Sequence, residues 1–433
     1  MQGSQAEGSA LERRLNLAFP VKQIESEVET RLKKLARTVR IHGFRPGKVP
    51  MKIVAQQYGG QVRQEVMTDS VQKTFADAVK AQNLRVAGYP RFEPKESAAE
   101  NFEFIATFEV YPDIEIGNLA NASIKRPVTE VTEADVDRTI EILRKQRQHF
   151  HKVDRVAVDG DQVTLDFEGT LEGAPFPGGH GKGHQLVLGE GRFLPDFETN
   201  VQGLRAGDSK SFELTFPADY HAKEMAGKTA KFQVEVHAVA EPHLPELNAD
   251  FAKSLGVEDG DLGKMRAEVK ANLEREAKKR IQAKVKEQVM QALVDHAKLE
   301  VPKSLVEIEI GRLAEGAVRD LQARGMTTKD INLPPDIFQA QAEKRVRLGL
   351  ILAETVKKNG LTAKPDQVRA VIEEHAQSFE QPQEMVRWYY QQPERLAEVE
   401  AVVLEDNVVA WALNQAKVED LPTAFQDLMG SAK

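Results

Sequence analysis

Hydrophobic and polar residues alternate over positions 11–20, where Leu11, Leu15, Leu17 and Phe19 share one face. That period predicts a strand, which Pro20 ends. Over 21–41 the period lengthens, and Ile24, Val28, Leu32, Leu35 and Val39 recur every three or four positions, the stripe of an amphipathic helix. Glu25, Glu27 and Glu29 come early in it and the cations late, the order a helix dipole favours. A second helix is expected over 51–82, with a break at Gly59-Gly60 left open. Residues 83–90 read as a turn, and Phe102, Phe104, Ala106, Phe108 and Val110 alternate along a strand at 101–111. Together these elements predict an α+β domain over 1–115, with two helices on a small antiparallel sheet.

A connector is expected at 116–150, with a helix over 132–149 opened by Thr132, Glu133 and Asp135. Its stripe of Val136, Ile140 and Leu143 is too narrow for a core of its own, so it is expected to pack on the C-terminal domain. Over 151–243 the pattern changes to short strands at 163–169, 211–216 and 230–236, with glycine turns and one short helix. This predicts an antiparallel sheet curled on that helix. Residues 244–433 read as an all-α domain of charged helices. The first, over 262–299, carries the sparse row Met265, Val269, Leu273, Ile281, Val285, Val289 and Leu293. Later helices open near Pro302, Pro334-Pro335, Pro365, Pro382 and Pro393, where a missing N–H costs nothing. The fold class is therefore multidomain α+β.

Composition narrows the chemistry. A chain of 433 residues without cysteine forms no disulfide and no thiolate or cysteine–zinc site. The first 20 residues lack the apolar region of a signal peptide, and apolar runs such as 348–353 are too short to span a bilayer. A soluble, cytoplasmic protein with no membrane partner, metal or cofactor is expected.

Charge changes the picture at one place. The chain carries a net charge of −8, yet no Asp or Glu interrupts from Arg31 through Lys52. Within that stretch Arg31, Lys33, Lys34, Arg37 and Arg40 lead into Gly43-Phe44-Arg45-Pro46-Gly47-Lys48-Val49-Pro50. Two glycines and two prolines in eight residues forbid a helix and favour a loop tip. A phenylalanine there forgoes roughly 1.5–3 kcal/mol of burial unless it folds back or meets a partner. A basic island on an acidic protein is the footprint of a polyanion site.

This octapeptide resembles the ribosome-docking signature of the bacterial trigger factor family, Gly-Phe-Arg-x-Gly-Lys-x-Pro, and 53–59 is similar to that family as well. The resemblance implies that Phe44, Arg45, Pro46, Gly47 and Lys48 form the ribosome-binding tip. Phe44, Arg45 and Lys48 would touch the large ribosomal subunit, its protein and RNA, beside the polypeptide exit tunnel. Pro46 stands at a variable position where relatives often carry a basic residue. The other implied partners are nascent and unfolded polypeptides, with a homodimer possible off the ribosome.

Residues 151–243 resemble the FK506-binding-protein (FKBP) class of peptidyl-prolyl isomerases. The resemblance rests on Asp166-Phe167-Glu168-Gly169, the Phe176 turn, Phe193-Leu194-Pro195-Asp196-Phe197-Glu198, and Phe216-Pro217-Ala218-Asp219-Tyr220-His221. It implies a pocket walled by Phe167, Phe176, Phe193, Leu194, Phe197, Tyr220 and Phe232, with His221 on its rim. Pro177 departs from the Asp or Glu common in relatives, and Phe197 replaces the usual Trp floor. By the same resemblance, the helical 244–433 region and the connector would cradle unfolded chains.

Other signals are set aside. Gly178-Gly179-His180-Gly181-Lys182-Gly183-His184 lacks the Lys-Ser/Thr ending of a phosphate loop and is expected to be a flexible flap beside the pocket. His149 and His151 are expected in a solvated connector, and Trp388, Tyr389, Tyr390 and Trp411 as helix-packing anchors. Three alternatives stay open from sequence. The aromatics could be a plain sheet core, the protein a free isomerase without ribosome attachment, or the island a direct nucleic-acid site.

Overall fold

The computed structural model describes residues 10–42, 44, 47–95, 101–220, 222–326, 333–377, 379 and 381–430. Along the chain, β1 (Glu12–Pro20) leads into α1 (Val21–Thr38) and α2 (Met51–Ala81), then β2 (Val86–Lys95) and β3 (Asn101–Val110). Next come β4 (Ser123–Val128), α3 (Glu133–Gln146), β5 (His149–Val153), β6 (Gln162–Leu171) and β7 (Ala174–Val187). They are followed by α4 (Pro195–Val201), β8 (Ser209–Thr215) and β9 (Thr229–His243). The helical remainder comprises α5 (Ala249–Ser254), α6 (Leu262–His296), α7 (Lys303–Ala323), α8 (Asp336–Asn359) and α9 (Pro365–Ala376). It ends with α10 (Pro382–Tyr390), α11 (Pro393–Leu413), β10 (Lys417–Pro422) and α12 (Phe425–Met429). Two compact units result: 1–126 with 283–421, and 127–282 with 422–433.

In the first unit, β1-β3-β2 form an antiparallel sheet on which α1 and α2 bury Ile24, Leu32, Val54, Val66 and Phe75. Phe75 meets Phe92 and Phe108 edge-on at 5.4 and 5.1 Å, the geometry aromatic quadrupoles prefer. The expected turn at 83–90 is shorter than predicted, because β2 begins at Val86. Gly88 and the prolines Pro90 and Pro94 fit there because β2 is an edge strand whose register shifts between Ala87 and Arg91. Helix α2 runs unbroken through Gly59-Gly60, and α1 stops at Thr38 rather than at residue 41.

Within the same unit, Ser304 at the start of α7 donates from its amide and hydroxyl to Glu109 at 2.7 and 2.6 Å, and its hydroxyl lies 2.9 Å from the Ala87 carbonyl. A Cβ at Gly88 would sit 2.5 Å from that of Ser304, so only glycine allows this approach. Helices α9 and α11 share a small core of Val368, Ile372, Val399 and Val403. Pro365, Pro382 and Pro393 each open a helix as the sequence predicts, and α8 ends on Gly360 at φ +61°.

The second unit holds a five-stranded antiparallel sheet, β5-β9-β6-β7 with β8 on β9. Its inward face, including Val163, Leu165, Val234 and Val236, closes over Phe197 and Val201 of α4. Thr132 and Asp135 cap α3 reciprocally. That helix ends at Gln146, short of the expected 149, because residues from His149 onward pair with β9 as β5. Val136 and Ile140 of α3 pack on Phe251, Met265 and Val269, the partner its thin stripe required.

Candidate functional site

Five of the expected pocket rings meet in the second unit. Phe167 lies 5.6 Å from Phe193 and 5.9 Å from Phe197, and Phe193 lies 4.9 Å from Phe197. Phe197 continues to Phe232 at 5.5 Å, and Phe232 to Phe176 at 6.0 Å. The sixth, Tyr220, is reached through a ring that the sequence expectation left out. Phe216 stands 6.0 Å from Phe176 and 4.8 Å from Tyr220. Leu194 packs against the same core and accepts the Phe197 amide at 2.8 Å, opening α4. Phe197 is 2% exposed and Phe232 6%, so they form a floor. Phe167, Phe176, Phe193, Leu194 and Tyr220 are half-buried around it. His221 lies outside the described residues.

Three of these rings rest on glycines. A Cβ would stand 2.6 Å from the Phe232 ring at Gly169, 2.5 Å from Phe167 at Gly181, and 2.8 Å from Phe176 at Gly179. At such distances a side chain would push its ring aside, so the glycines seat one floor ring, Phe232, and two wall rings, Phe167 and Phe176. The flap expectation is corrected by the strand itself. Residues 178–184 are strand within β7, with Phe167 opposite Gly181 and Glu168 opposite His180. His184, set aside on sequence, brings its ring to 5.2 Å from Phe193 and 5.9 Å from Phe167.

Glu198 is the buried charge at this site, 8% exposed. Its two oxygens accept from the Gly189 amide at 2.8 Å and the Phe193 amide at 3.2 Å, which fixes the loop that presents Phe193. Nearby, Asp161 holds Arg155 in a two-bonded pair at 2.5 and 3.0 Å and caps the Val158 amide at 2.9 Å. A hollow of about 870 Å³ in this unit is lined by none of these rings and lies between the end of α3 with β5 and the ends of β6 and β7.

In the first unit the loop tip keeps Phe44 at the surface, 37% exposed, with its amide bonded to the Ile41 carbonyl at 3.1 Å. Gly47 adopts φ +79°, a left-handed conformation that favours glycine. Lys48 is exposed, while the next residue, Val49, is buried in the domain core and pins the tip. Gly43, Arg45 and Pro46 lie outside the described residues. The basic island is narrower than its sequence. Arg31 binds Asp69 at 2.7 Å and Glu27 at 3.3 Å, and Lys33 binds Glu29 at 2.6 Å. Asp69 and Glu27 raise the Arg31 pKa further above its ordinary value. Among the described residues Lys34, Arg37, Arg40, Lys48 and Lys52 form no ion pair, so the open charge gathers near the tip.

Two smaller expectations are refined. His149 and His151 are exposed, as expected of solvated residues, and lie on β5, where His151 faces His243 at 5.5 Å. Trp388 and Tyr390 are 43% and 50% exposed rather than packed anchors. Trp388 is covered on one face by the Arg395 guanidinium at 3.6 Å. Tyr389 does pack, against the α9–α11 core.

Comparison with known proteins matches the chain along most of its length. A family model described as bacterial trigger factor protein matches residues 1–143, and one for the trigger factor C-terminus matches 261–414. Between them, an FKBP-type peptidyl-prolyl cis-trans isomerase model matches 153–237. The trigger factor of Nitrosospira multiformis is 58% identical over 97% of this chain and 98% of its own. Those of Aromatoleum aromaticum and Thiobacillus denitrificans are 56% and 52% identical over the whole of both chains. The chain therefore belongs to the trigger factor family, ribosome-associated chaperones that carry an FKBP-type peptidyl-prolyl isomerase domain.

Proposed function

We propose that the ring cluster is where this chaperone isomerises X-Pro bonds of nascent chains, and that the loop tip is where it docks on the ribosome. The observation that carries the first half is the unbroken chain of rings from Tyr220 through Phe216, Phe176, Phe232 and Phe197 to Phe193 and Phe167. The barrier to peptide-bond rotation, about 18–20 kcal/mol, comes from amide resonance. An apolar floor that holds the twisted amide better than the planar one lowers that barrier by differential binding. No nucleophile is needed. In this reading the proline ring sits over Phe197 and Phe232, and Phe167, Phe176, Phe193 and Leu194 wall it. Tyr220 donates to the substrate carbonyl, with His221 on the rim. Uncatalysed exchange takes tens to hundreds of seconds, slow against synthesis at about 5–20 residues per second.

For docking, Phe44 supplies apolar contact, while Arg45 and Lys48 meet the large subunit's protein and RNA beside the exit tunnel, with Pro46 and Gly47 shaping the tip. The work divides along the chain: 1–115 docks, 116–150 connects, 151–243 isomerises and 244–433 cradles clients, all in the cytoplasm. The family match over 1–143 speaks against a free isomerase without ribosome attachment. The test is isomerisation of a proline tetrapeptide by full-length protein. Tyr220→Phe is expected to lower kcat/KM about tenfold or more without loss of fold. An unchanged rate removes Tyr220 from the mechanism.

A further inference from the structure

Asp166 occupies an unusual place in the sheet. It lies on β6, between two β-bulges on the strands either side. On β7, Leu165 pairs with His184 and Phe167 with Gly181, so Lys182 and Gly183 together oppose Asp166. On β9, Thr164 pairs with Ala238 and Leu165 with Val236, which leaves His237 as the extra residue. One carboxylate oxygen of Asp166 reaches both irregularities. Its Oδ1 accepts from the Gly183 amide at 2.6 Å and lies 2.9 Å from His237 Nε2. Gly183 has φ +60°, a left-handed residue. Bulges expel a backbone group from the ladder and re-aim their neighbours, and here the expelled amide finds a side chain.

The neighbours it re-aims belong to the ring cluster. Gly181, two residues before Gly183, seats the Phe167 ring, and His184, the next residue, sets its ring edge-on to Phe167 and Phe193. We propose that Asp166 is a positioning residue for the isomerase site, its carboxylate pinning the β7 bulge at Gly183 so that Gly181 and His184 hold Phe167 and Phe193 in place. This rests on the reading above that those rings bind the prolyl bond. The bond from Gly183, and then the one from His237, also hold the Asp166 pKa below its ordinary value, so the carboxylate stays charged at neutral pH. No part of Asp166 enters the reaction; it acts through the strand.

The experiment pairs Asp166→Ala with Asp166→Asn in the full-length protein, since an asparagine oxygen can still accept from Gly183. It reads two quantities: the Gly183 amide in a proton–nitrogen spectrum, and kcat and KM for a proline tetrapeptide. Asp166→Ala is expected to move the Gly183 amide out of its hydrogen-bonded position and lower kcat/KM about tenfold, chiefly through KM. Asp166→Asn is expected to restore both towards the parent. Parent-like kinetics in Asp166→Ala overturn the proposal, as does an Asp166→Asn protein as impaired as the alanine variant. A parent without isomerase activity would overturn the reading of the rings instead, and the Gly183 amide would still decide the anchor.

Discussion

Gly169 lies under the ring of Phe232, so close that a Cβ on the glycine would stand 2.6 Å from Cε1. Phe232 is half of the floor, and Gly181 supports Phe167 in the same way at 2.5 Å. Either Gly169→Ala or Gly181→Ala must therefore displace a pocket ring. Overpacking of this kind costs about 1–3 kcal/mol. Urea unfolding is expected to register that loss, and tetrapeptide isomerisation to fall in both variants. A variant with parent activity would mean that the ring positions do not matter.

Glu198 supports the loop that presents Phe193 with bonds to two amides. Glu198→Ala leaves both donors short of a partner at a buried site, at about 1–3 kcal/mol for each unmade bond. Glu198→Gln keeps one acceptor oxygen and is expected to lose about half as much. The ordering Glu, Gln, Ala should appear in thermal midpoints and in isomerase rates alike.

Acid should loosen the fold in a defined direction. Asp166 is held below its ordinary pKa by the Gly183 amide and His237, Glu133 by bonds from Arg266 and Lys270, and Asp420 by Arg126. For a carboxylate depressed in the folded state, the stabilisation is complete above the unfolded-state pKa of about 4 and is lost as pH falls through the folded value. Glu133 and Asp420 are exposed and Asp166 is partly so, and each effect is small and salt-screened. Thermal midpoints are expected to be level near neutrality and to fall below about pH 4–5. Midpoints rising in acid would contradict the signs.

The cations of the basic island should not contribute equally to docking. Arg31 is held by Asp69 and Glu27, whereas Lys48 is exposed at the tip. In ribosome co-sedimentation at low salt, Lys48→Ala is expected to weaken binding more than Arg31→Ala, and to flatten the salt dependence, since each phosphate contact adds to that slope. Equal losses would place the docking surface along the helix.

Several features could be read directly from residues. The loop tip follows from glycine and proline in Gly43–Pro50, and the starts of α9, α10 and α11 from Pro365, Pro382 and Pro393. The pocket rings were legible through their ordered resemblance, because a ring must bring its own bulk to a fixed register. What escaped depends on partners distant in sequence. β2 hides its strand character behind Gly88, Pro90 and Pro94, which only an edge strand tolerates. Strand β7 hides behind four glycines: Gly181 seats the Phe167 ring across the sheet, Gly179 lies against Phe176 of the same strand, and Gly178 and Gly183 take positive φ. No local pattern announces that Asp69, 38 residues along, neutralises Arg31, or that Phe216 bridges Phe176 to Tyr220. The signal for Glu198 was present, a carboxylate one residue after a buried phenylalanine on a short helix, but its role needs the loop fold.

The division of labour between the two sites is tested most directly by measuring both activities on the same three proteins: parent, Phe44→Ala/Lys48→Ala, and Tyr220→Phe. Tyr220→Phe is preferred to a floor variant, since Phe197→Ala at a site 2% exposed costs about 3–5 kcal/mol of stability. Co-sedimentation with purified ribosomes across a salt series and tetrapeptide isomerisation are expected to separate. The tip variant should leave the ribosome pellet and keep its isomerase rate, while Tyr220→Phe should pellet as the parent does and isomerise slowly. Loss of both activities together in either folded variant would contradict a two-site protein.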